Sequence, residues 1–352
     1  MPVHEACTKR LTLKITKYEE RGKLKPFDLQ TIADANEALD GIVTRTPLLE
    51  NVEVNARLGG RLLVKAECVQ RTGAFKFRGA YNCVRQLTEN ERANGVITYS
   101  SGNHAQGLAL AAKLLGSSAL IVMPEDAPLD KIAATQALGA DVTTFHRDRE
   151  NSDDIVNRLA DETGRVVVPP SADWRVLAGS GSVGFELFQQ IESIHASLDA
   201  VLVPCGGGGL TATTAVVMHS LSPGTQVFSV EPQLFDDMRR SLEAGRRVRN
   251  PVGQRTICDA IMTPTPTALS FPINLDLLAG GLVASDEEVR IAMRFAYEHF
   301  KIIVEPGAAA GLAAILSGKI DIEGKTIATI ATGGNIDPDR FCALLKTEQA
   351  EK

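Results

Sequence analysis

An alternation of short apolar runs with longer helical segments restricts the fold more than any other feature of this sequence. Strands are predicted where β-branched residues cluster, and helices where alanine and leucine recur among polar residues. This alternation is typical of parallel sheets covered by helices on both faces, so the predicted fold class is α/β. The predicted strands cover residues 96–99, 119–123, 141–145, 165–168, 200–203, 226–230 and 326–330, and the predicted helices include 105–115, 131–138, 153–162 and 210–220.

Chain length indicates a protein of two domains. The chain has 352 residues, and a typical domain has roughly 150. Residues 96–169 form a compact succession of strands and helices, predicted as a small domain inserted into a large one made of 27–95 and 170–352. Residues 1–26 show no clear strand and are predicted to be an appended arm. Residues 245–272, which contain several prolines and glycines, are predicted to be an irregular connection.

The charge balance and the cysteine pattern exclude several classes of protein. The 37 basic and 43 acidic side chains give a net charge of −6, whereas nucleic-acid-binding proteins neutralise phosphates with excess basic residues. No apolar run approaches the ~18 residues of a membrane span, and no signal peptide is recognisable. Six scattered cysteines are predicted to be reduced thiols. We expect a cytoplasmic protein with no nucleic-acid or membrane partner, and no regulatory domain after Cys342.

Four consecutive glycines, Gly206 to Gly209, separate a predicted strand from a predicted helix. Glycines leave backbone N–H groups accessible, and the N-terminus of the following helix adds partial positive charge. The run is neither a G-x-G-x-x-G nor a Walker A motif, so it does not predict a dinucleotide or ATP site. The loop is predicted to bind the phosphate group of another ligand. The alternative is a flexible turn without function.

Three further segments place polar groups or an amine where open α/β sheets bind ligands. The segments SSGNH (100–104) and TGGN (332–335) each follow a predicted strand. Lys76 lies between Phe75 and Phe77, and burial there would lower its pKa and make it a competent nucleophile. A lysine that simply reaches solvent is the alternative. A phosphate cradle and an imine-forming lysine together favour pyridoxal 5′-phosphate (PLP) as the cofactor.

In its motifs and their order, the chain resembles the fold-type II PLP enzymes, within them the serine/threonine dehydratase and serine racemase group. The resemblance extends from about Phe27 to Cys342 and includes GIVTRTPL (41–48), the lysine motif, SSGNH, the glycine run, VEP (230–232), EPG (305–307) and TGGN. It implies a tryptophan-synthase-β-like fold, with two doubly wound parallel-sheet domains and the active site between them. It also implies a homodimer or homotetramer that acts on a small amino acid.

The resemblance also implies roles for individual residues. Lys76 is expected to form an imine bond with PLP and to remove the substrate Cα proton, and Ser101 to be the acid or base on the opposite face. The implied cofactor-binding residues are Phe75, Lys76, Asn103, Gly206, Gly207, Gly208, Gly209, Glu305 and Thr332. The substrate carboxylate is assigned to Ser100, Gly102 and His104. Mg²⁺ or Ca²⁺ is assigned to Glu231, the carbonyl of Phe235 and Asp237, with a surface acidic pair as the alternative.

The implied reaction is α,β-elimination from a β-hydroxy-α-amino acid, such as L-threonine, L-serine or 3-hydroxyaspartate, to a 2-oxo acid and ammonia. The alternatives are an amino-acid racemase on the same scaffold, a β-replacement enzyme and a non-catalytic metabolite-binding protein. Three departures from the family pattern are expected to border the site and to affect substrate choice: Ala74 for serine, AGSGS (178–182) for AGQGT, and Asp259-Ala260 for aspartate-glycine. Trp174 is expected to serve packing.

Overall fold

The computed structural model describes residues 16–20, 23–127, 129–146 and 149–346. The strands in these residues are β1 (Thr16–Glu20), β2 (Lys23–Phe27), β3 (Leu48–Glu50), β4 (Arg61–Lys65), β5 (Val96–Tyr99), β6 (Ala119–Pro124), β7 (Asp141–Phe145), β8 (Val166–Val167), β9 (Ala200–Pro204), β10 (Gln226–Pro232), β11 (Gly280–Ala284) and β12 (Thr326–Ile330).

Helices connect most of these strands. They are α1 (Leu29–Ala38), α2 (Val52–Leu58), α3 (Lys76–Arg85), α4 (Glu89–Asn94), α5 (Asn103–Leu114), α6 (Leu129–Ala137), α7 (Ser152–Thr163), α8 (Trp174–Ser193), α9 (Gly209–Leu221), α10 (Asp237–Ala244), α11 (Phe271–Leu277), α12 (Asp286–Phe295), α13 (Pro306–Leu316) and α14 (Pro338–Leu345). None of the helices in the described ranges is long and apolar enough to cross a membrane.

Two separate sheets organise the described chain. The larger has six strands in the order β11-β10-β9-β12-β4-β3, and the smaller has four in the order β7-β6-β5-β8. Every neighbouring pair is parallel except β3 and β4, which pair antiparallel. The predicted α/β fold with parallel sheets is confirmed, and all seven predicted strands are present with ends within about two residues.

The N-terminal segment differs from its prediction. Strands β1 and β2 pair antiparallel, with Thr16 opposite Phe27, so the expectation of no clear strand in residues 1–26 is wrong for this hairpin. The strand sequences TKYEE and KLKPF carry too many charges to resemble strands in the sequence. Residues 1–15 and 21–22, which belong to the same predicted arm, lie outside the described residues, as does Cys7.

Helix α3, which begins at Lys76, packs closely against α8. A Cβ atom added at Gly179 would lie 2.5 Å from the carbonyl oxygen of Arg78, and one at Gly79 would lie 2.6 Å from the carbonyl oxygen of Val176. These glycines let the two backbones approach, which fixes the position of Lys76 relative to α8. The AGSGS departure therefore lies in this contact between the helices.

The remaining packing agrees with the sequence. The centroid of the Trp174 ring lies 4.8 Å from that of the Phe27 ring. Trp174 therefore packs against another aromatic side chain, as expected from the sequence. The stretch 245–270 is irregular apart from a single 3-10 turn at Asp259–Ile261, and α11 then begins at Phe271. The five described cysteines are free thiols, and all but Cys342 are buried.

Candidate active site

The lysine motif and the TGGN turn are joined backbone to backbone. The N–H of Phe75 donates to the carbonyl of Thr332 at 3.1 Å, and the N–H of Gly334 donates to the carbonyl of Gly73 at 2.9 Å. Ala74, the first departure from the family pattern, is fully buried at a β-bridge with Gly333. The turn that follows β12 therefore fixes the residues that precede α3.

Lys76 directs its amine at a backbone carbonyl. Its Nζ donates to the carbonyl oxygen of Pro170 at 2.9 Å and lies 5.1 Å from the centre of the Phe75 ring. Burial lowers the pKa of Lys76 to about 8, although the negative charge of Glu305 opposes this shift. The amine is thus partly neutral near physiological pH, as a nucleophile or a base requires.

The glycine run forms a loop in which carbonyl groups accept hydrogen bonds from the protein, whereas the backbone N–H groups donate none to the described residues. The Gly207 carbonyl accepts from the N–H of Thr267 and the hydroxyl of Ser270, and the Gly208 carbonyl accepts from Asn274 Nδ2. In the part of the chain that the structure describes, no acceptor faces the N–H groups of Gly206 to Gly209. A side chain at Gly208, where φ is +86°, would strike Met238 and Asn274. These features suit an anion bound at the start of α9.

Asn103 and Glu305 form the polar contact beside the TGGN turn. Asn103 Nδ2 donates to Glu305 Oε1 at 2.5 Å, and Asn335 Nδ2 donates to Asn103 Oδ1 at 2.8 Å. Burial raises the pKa of Glu305 to about 7, and the hydrogen bond from Asn103 opposes this shift. Glu305 can therefore hold or release a proton near neutral pH.

The SSGNH segment brings the N-terminus of α5 to the end of β5. The hydroxyl of Ser100 accepts from the N–H of Gly102 at 3.3 Å, and Ser101 is half-buried. The His104 ring is buried, with its Nε2 2.8 Å from the carbonyl oxygen of Val168. Burial and the nearby charge of Lys76 lower the pKa of His104 to about 3, so the ring is neutral. Its backbone amide, in the first helical turn, is available to a ligand, and its Nδ1 is buried without a partner in the described structure.

Comparison with known proteins identifies the family. The family model of pyridoxal-phosphate dependent enzymes matches residues 39–333, which is most of the chain. The chain belongs to this family. This membership confirms three predictions from the sequence: the family, the assignment as an enzyme, and PLP as the cofactor.

Individual PLP enzymes are similar along nearly their whole length. An L-threo-3-hydroxyaspartate ammonia-lyase of Saccharomyces cerevisiae is 40% identical over 320 residues, covering 90% of this chain and 96% of that protein. A serine racemase of Dictyostelium discoideum is 37% identical over 322 residues, covering 90% and 97%. The crystal structure of a T.th. threonine deaminase has a TM-score of 0.84 at 40% identity, covering 88% of this chain and 99% of that one.

The residues of this PLP enzyme fit the cofactor chemically. The unengaged amides of the glycine loop suit a phosphate, and the Lys76 amine suits an aldehyde. The sequence did not indicate the residues that hold these groups in place. Pro170, Thr267, Ser270 and Asn274 lie far along the chain from their partners, and no motif marks them. Asn335 is the exception, because it belongs to the TGGN motif although no role was predicted for it.

The predicted metal ligands include two buried carboxylates. Glu231 accepts hydrogen bonds from the backbone N–H groups of Met238 and Arg239, and Asp237 accepts from Asn250 Nδ2 at 2.5 Å. Asp237 Oδ2 is buried without a partner in the described structure. Burial raises the pKa of Glu231 well above its usual range and that of Asp237 to about 7. The described residues contain no group of three or more His, Cys, Asp and Glu side chains suited to a metal.

Proposed function

We propose that this PLP enzyme is an ammonia-lyase that converts a β-hydroxy-α-amino acid, such as L-threo-3-hydroxyaspartate, L-threonine or L-serine, to a 2-oxo acid and ammonia. The observation that carries the proposal is the Lys76 amine, held by a backbone carbonyl with its pKa lowered to about 8. Such an amine can remove a Cα proton near neutral pH. The similarity to an L-threo-3-hydroxyaspartate ammonia-lyase supports this substrate class.

The proposed cofactor contacts follow the predicted residues. PLP, when bound, supplies an electron sink for negative charge at the substrate Cα. In this proposal the amides of Gly206 to Gly209 hold its phosphate, Asn103 donates to its ring oxygen, and the Phe75 side chain lies against the ring. The Thr332 hydroxyl meets the ring nitrogen and, unlike a carboxylate, does not enforce its protonation. This arrangement favours prompt elimination over transamination.

The proposed substrate contacts lie at the N-terminus of α5. The Ser100 hydroxyl and the backbone amides of Gly102 and His104 bind the substrate carboxylate, because the first turn of a helix leaves its N–H groups unpaired and attracts anions. The neutral Lys76 amine removes the Cα proton. The Pro170 carbonyl accepts a hydrogen bond from the ammonium group that forms. That ammonium group can then donate its proton to the β-hydroxyl group, which leaves as water.

A substrate panel tests the proposed activity directly. The PLP-loaded protein is incubated with the L and D forms of serine and threonine and with all 3-hydroxyaspartate stereoisomers, and 2-oxo acid and ammonia are measured. We expect equal amounts of both products and a clear preference for one substrate. Products from none of them, with PLP bound, would contradict the proposal and favour replacement chemistry or racemisation. Failure to bind PLP would favour a metabolite-binding protein.

Ser101→Ala separates elimination from racemisation, the second candidate, which the similarity to a serine racemase favours. Elimination requires proton removal on the Lys76 face alone, whereas racemisation also needs an acid or base opposite. Such a group contributes roughly 10²–10⁴-fold to a rate. We expect Ser101→Ala to lower racemisation at least 100-fold and elimination by less than tenfold, measured by chiral chromatography and 2-oxo acid release. An equal loss of both rates would contradict separate roles for the two faces.

We further propose that Glu231, the Phe235 carbonyl and Asp237 hold Mg²⁺ or Ca²⁺. Carboxylate and carbonyl oxygens are the ligands that these hard cations prefer. Both side chains are almost fully buried, and the negative charge of Asp237 raises the pKa of Glu231 further. An unpartnered buried carboxylate oxygen at Asp237 also suits a cation. A bound divalent ion would neutralise both charges.

Cation removal is expected to make stability depend on pH. Because folding raises the pKa of Asp237 to about 7, the metal-free protein loses stability as pH rises from about 4 to 7. The loss from this group is on the order of 4 kcal/mol. Chelated protein should therefore melt lower at pH 8 than at pH 5.5, and Mg²⁺ should raise the midpoint mainly at pH 8. Asp237→Asn should abolish the cation effect and exposed Asp276→Asn should keep it; no cation effect in wild type would refute the site.

The proposed assembly is a cytoplasmic homodimer or homotetramer of two-domain subunits. Residues 96–169 contain all four strands of the smaller sheet, and one side of this sheet has its own cluster of Ile97, Val122, Phe145 and Val156. The cluster on its other side includes residues of α3, so α3 packs with the small domain although the sequence assigned it to the large one. Large apolar side chains that are about half exposed, at Val69, Tyr297 and Ile303, support subunit contacts. Sedimentation equilibrium of the PLP-loaded protein tests this assembly, and a monomer at micromolar concentration would contradict it.

A further inference from the structure

We propose that Asn335 and Glu305 are positioning residues that fix which end of the Asn103 amide faces the cofactor. The inference rests on the proposed contact between Asn103 and the PLP ring oxygen. An asparagine amide has a donor end and an acceptor end of nearly equal size, so its surroundings decide which end a ligand meets. In this protein a chain of hydrogen bonds from Thr72 to Glu305, which we call the amide relay, makes that decision.

The amide relay begins at a backbone carbonyl. Thr72 has a positive φ of 58° and Gly73 one of 70°, and the Thr72 carbonyl oxygen accepts from Asn335 Nδ2 at 2.7 Å. A carbonyl oxygen can only accept, so the NH₂ end of Asn335 must face it. Left-handed backbone is rare for threonine and persists only when its surroundings support it. A side chain at Gly73 would also strike Asn335 Oδ1. The relay therefore has a fixed starting direction.

The orientation of the Asn335 amide determines that of the Asn103 amide. The Asn335 NH₂ group also donates to Asn103 Oδ1 at 2.8 Å, which turns the NH₂ end of Asn103 toward Glu305 Oε1, 2.5 Å away. Reversal of Asn103 would place one NH₂ group against another and, while Glu305 is ionised, its carbonyl oxygen against a carboxylate oxygen. Ionised Glu305 and Asn335 would then each lose a hydrogen bond to Asn103 in a buried place, where unpaired polar groups are costly.

Backbone geometry holds the carboxylate end of the relay. The N–H of Glu305 donates to the carbonyl of Gly333 at 3.0 Å, and a side chain at Gly333 would strike Glu305 Oε1. Asn103 Nδ2 carries two hydrogens, of which Glu305 takes one. The other remains to donate to a ring oxygen of the cofactor. A donor stabilises the ionised form of that oxygen, whereas an acceptor would stabilise the neutral form.

Asn335→Asp tests the amide relay, because a carboxylate of the same shape cannot donate. Asn103 is then expected to reverse, with Glu305 taking up a proton to donate to the reversed carbonyl oxygen, and to present that oxygen to the cofactor. The readout is the absorbance spectrum of bound PLP at fixed pH, in which ionised and neutral ring oxygens give separate bands. We expect the ratio of the ionised to the neutral band to fall. We also expect PLP to bind about tenfold more weakly, because one hydrogen bond is lost.

Two further variants show whether the spectral change comes from the orientation of the Asn103 amide, from the added negative charge, or from general damage to the fold. Asn335→Ala removes the donor without adding a charge and should shift the ratio in the same direction, by less. Asn82→Asp makes the same change at another Asn, on α3, whose Nδ2 donates to the Arg175 carbonyl at 2.6 Å, and should leave the ratio unchanged. Unchanged spectra in both Asn335 variants, or an equal shift in Asn82→Asp, would overturn the relay alone. A wild-type protein that takes up no PLP would overturn the proposed function with it.

Discussion

Lys76→Ala is expected to lower the rate of 2-oxo acid formation by at least about 10⁴-fold, the upper range for loss of a general base. In the proposed function, the variant loses both the amine that would bind the cofactor covalently and the group that would remove the Cα proton. We therefore also expect the visible absorbance band of the PLP-loaded protein to disappear on dilution into buffer without PLP. Lys113→Ala is the matched control, because Lys113 is exposed on α5. Activity of Lys76→Ala near the Lys113→Ala level would contradict the assignment.

The pH dependence of PLP uptake gives an independent test of Lys76. A lysine with its pKa lowered to about 8 by burial is about half neutral at pH 8, whereas an ordinary lysine is almost fully protonated there. Because only the neutral amine attacks an aldehyde, the rate of uptake by the apoprotein should rise with pH and level off above about pH 8. A rate that continues to rise up to pH 10 would show that the pKa of the Lys76 amine is not lowered.

The sequence predicted the strands that consist of a clear apolar run. It missed strands whose conformation depends on contacts with residues far away in the sequence. The strand Arg61–Lys65 has a charged residue at each end. Lys65 is fully buried, and its amine pairs with Glu186, on α8, at 2.8 Å and also donates to the Gln190 side chain and the Thr46 carbonyl. The strand Gly280–Ala284 begins with two glycines, which are poor strand formers. Pairing to β10 decides its conformation, and no local pattern shows that pairing.

The predicted site residues divide in the same way. The motifs predicted the location of Lys76, the glycine loop and the SSGNH segment in the fold, because all three lie at helix starts and the latter two directly follow strands. They did not predict that the His104 ring is buried, with its Nε2 against the Val168 carbonyl. The AGSGS departure was expected to affect substrate choice, yet Ser182 accepts a hydrogen bond from buried Arg78 at 3.2 Å. Such contacts depend on tertiary structure.

The second large effect is expected at Arg78, two residues after Lys76. Its guanidinium is fully buried and makes ion pairs of 2.8 Å with Glu67 and Glu186, and Lys65 pairs with the same Glu186. These two cations and two carboxylates balance to zero net charge. Arg78→Met would leave one buried negative charge unbalanced, so we expect a loss of about 3–5 kcal/mol in the free energy of unfolding. Urea unfolding followed by circular dichroism measures this loss.

A double variant decides whether charge balance or packing accounts for the loss. Glu67→Gln combined with Arg78→Met leaves the Lys65–Glu186 pair neutral, so it should be more stable than the sum of the two single losses predicts. Strict additivity would mean that packing of the Arg78 side chain, not its charge, stabilises the start of α3. Arg158→Met, which breaks an exposed pair with Glu162, should change stability by less than about 1 kcal/mol. Because Arg78 lies in the first turn of α3, a loss that follows charge balance would show that buried ion pairs stabilise the helix that begins at Lys76.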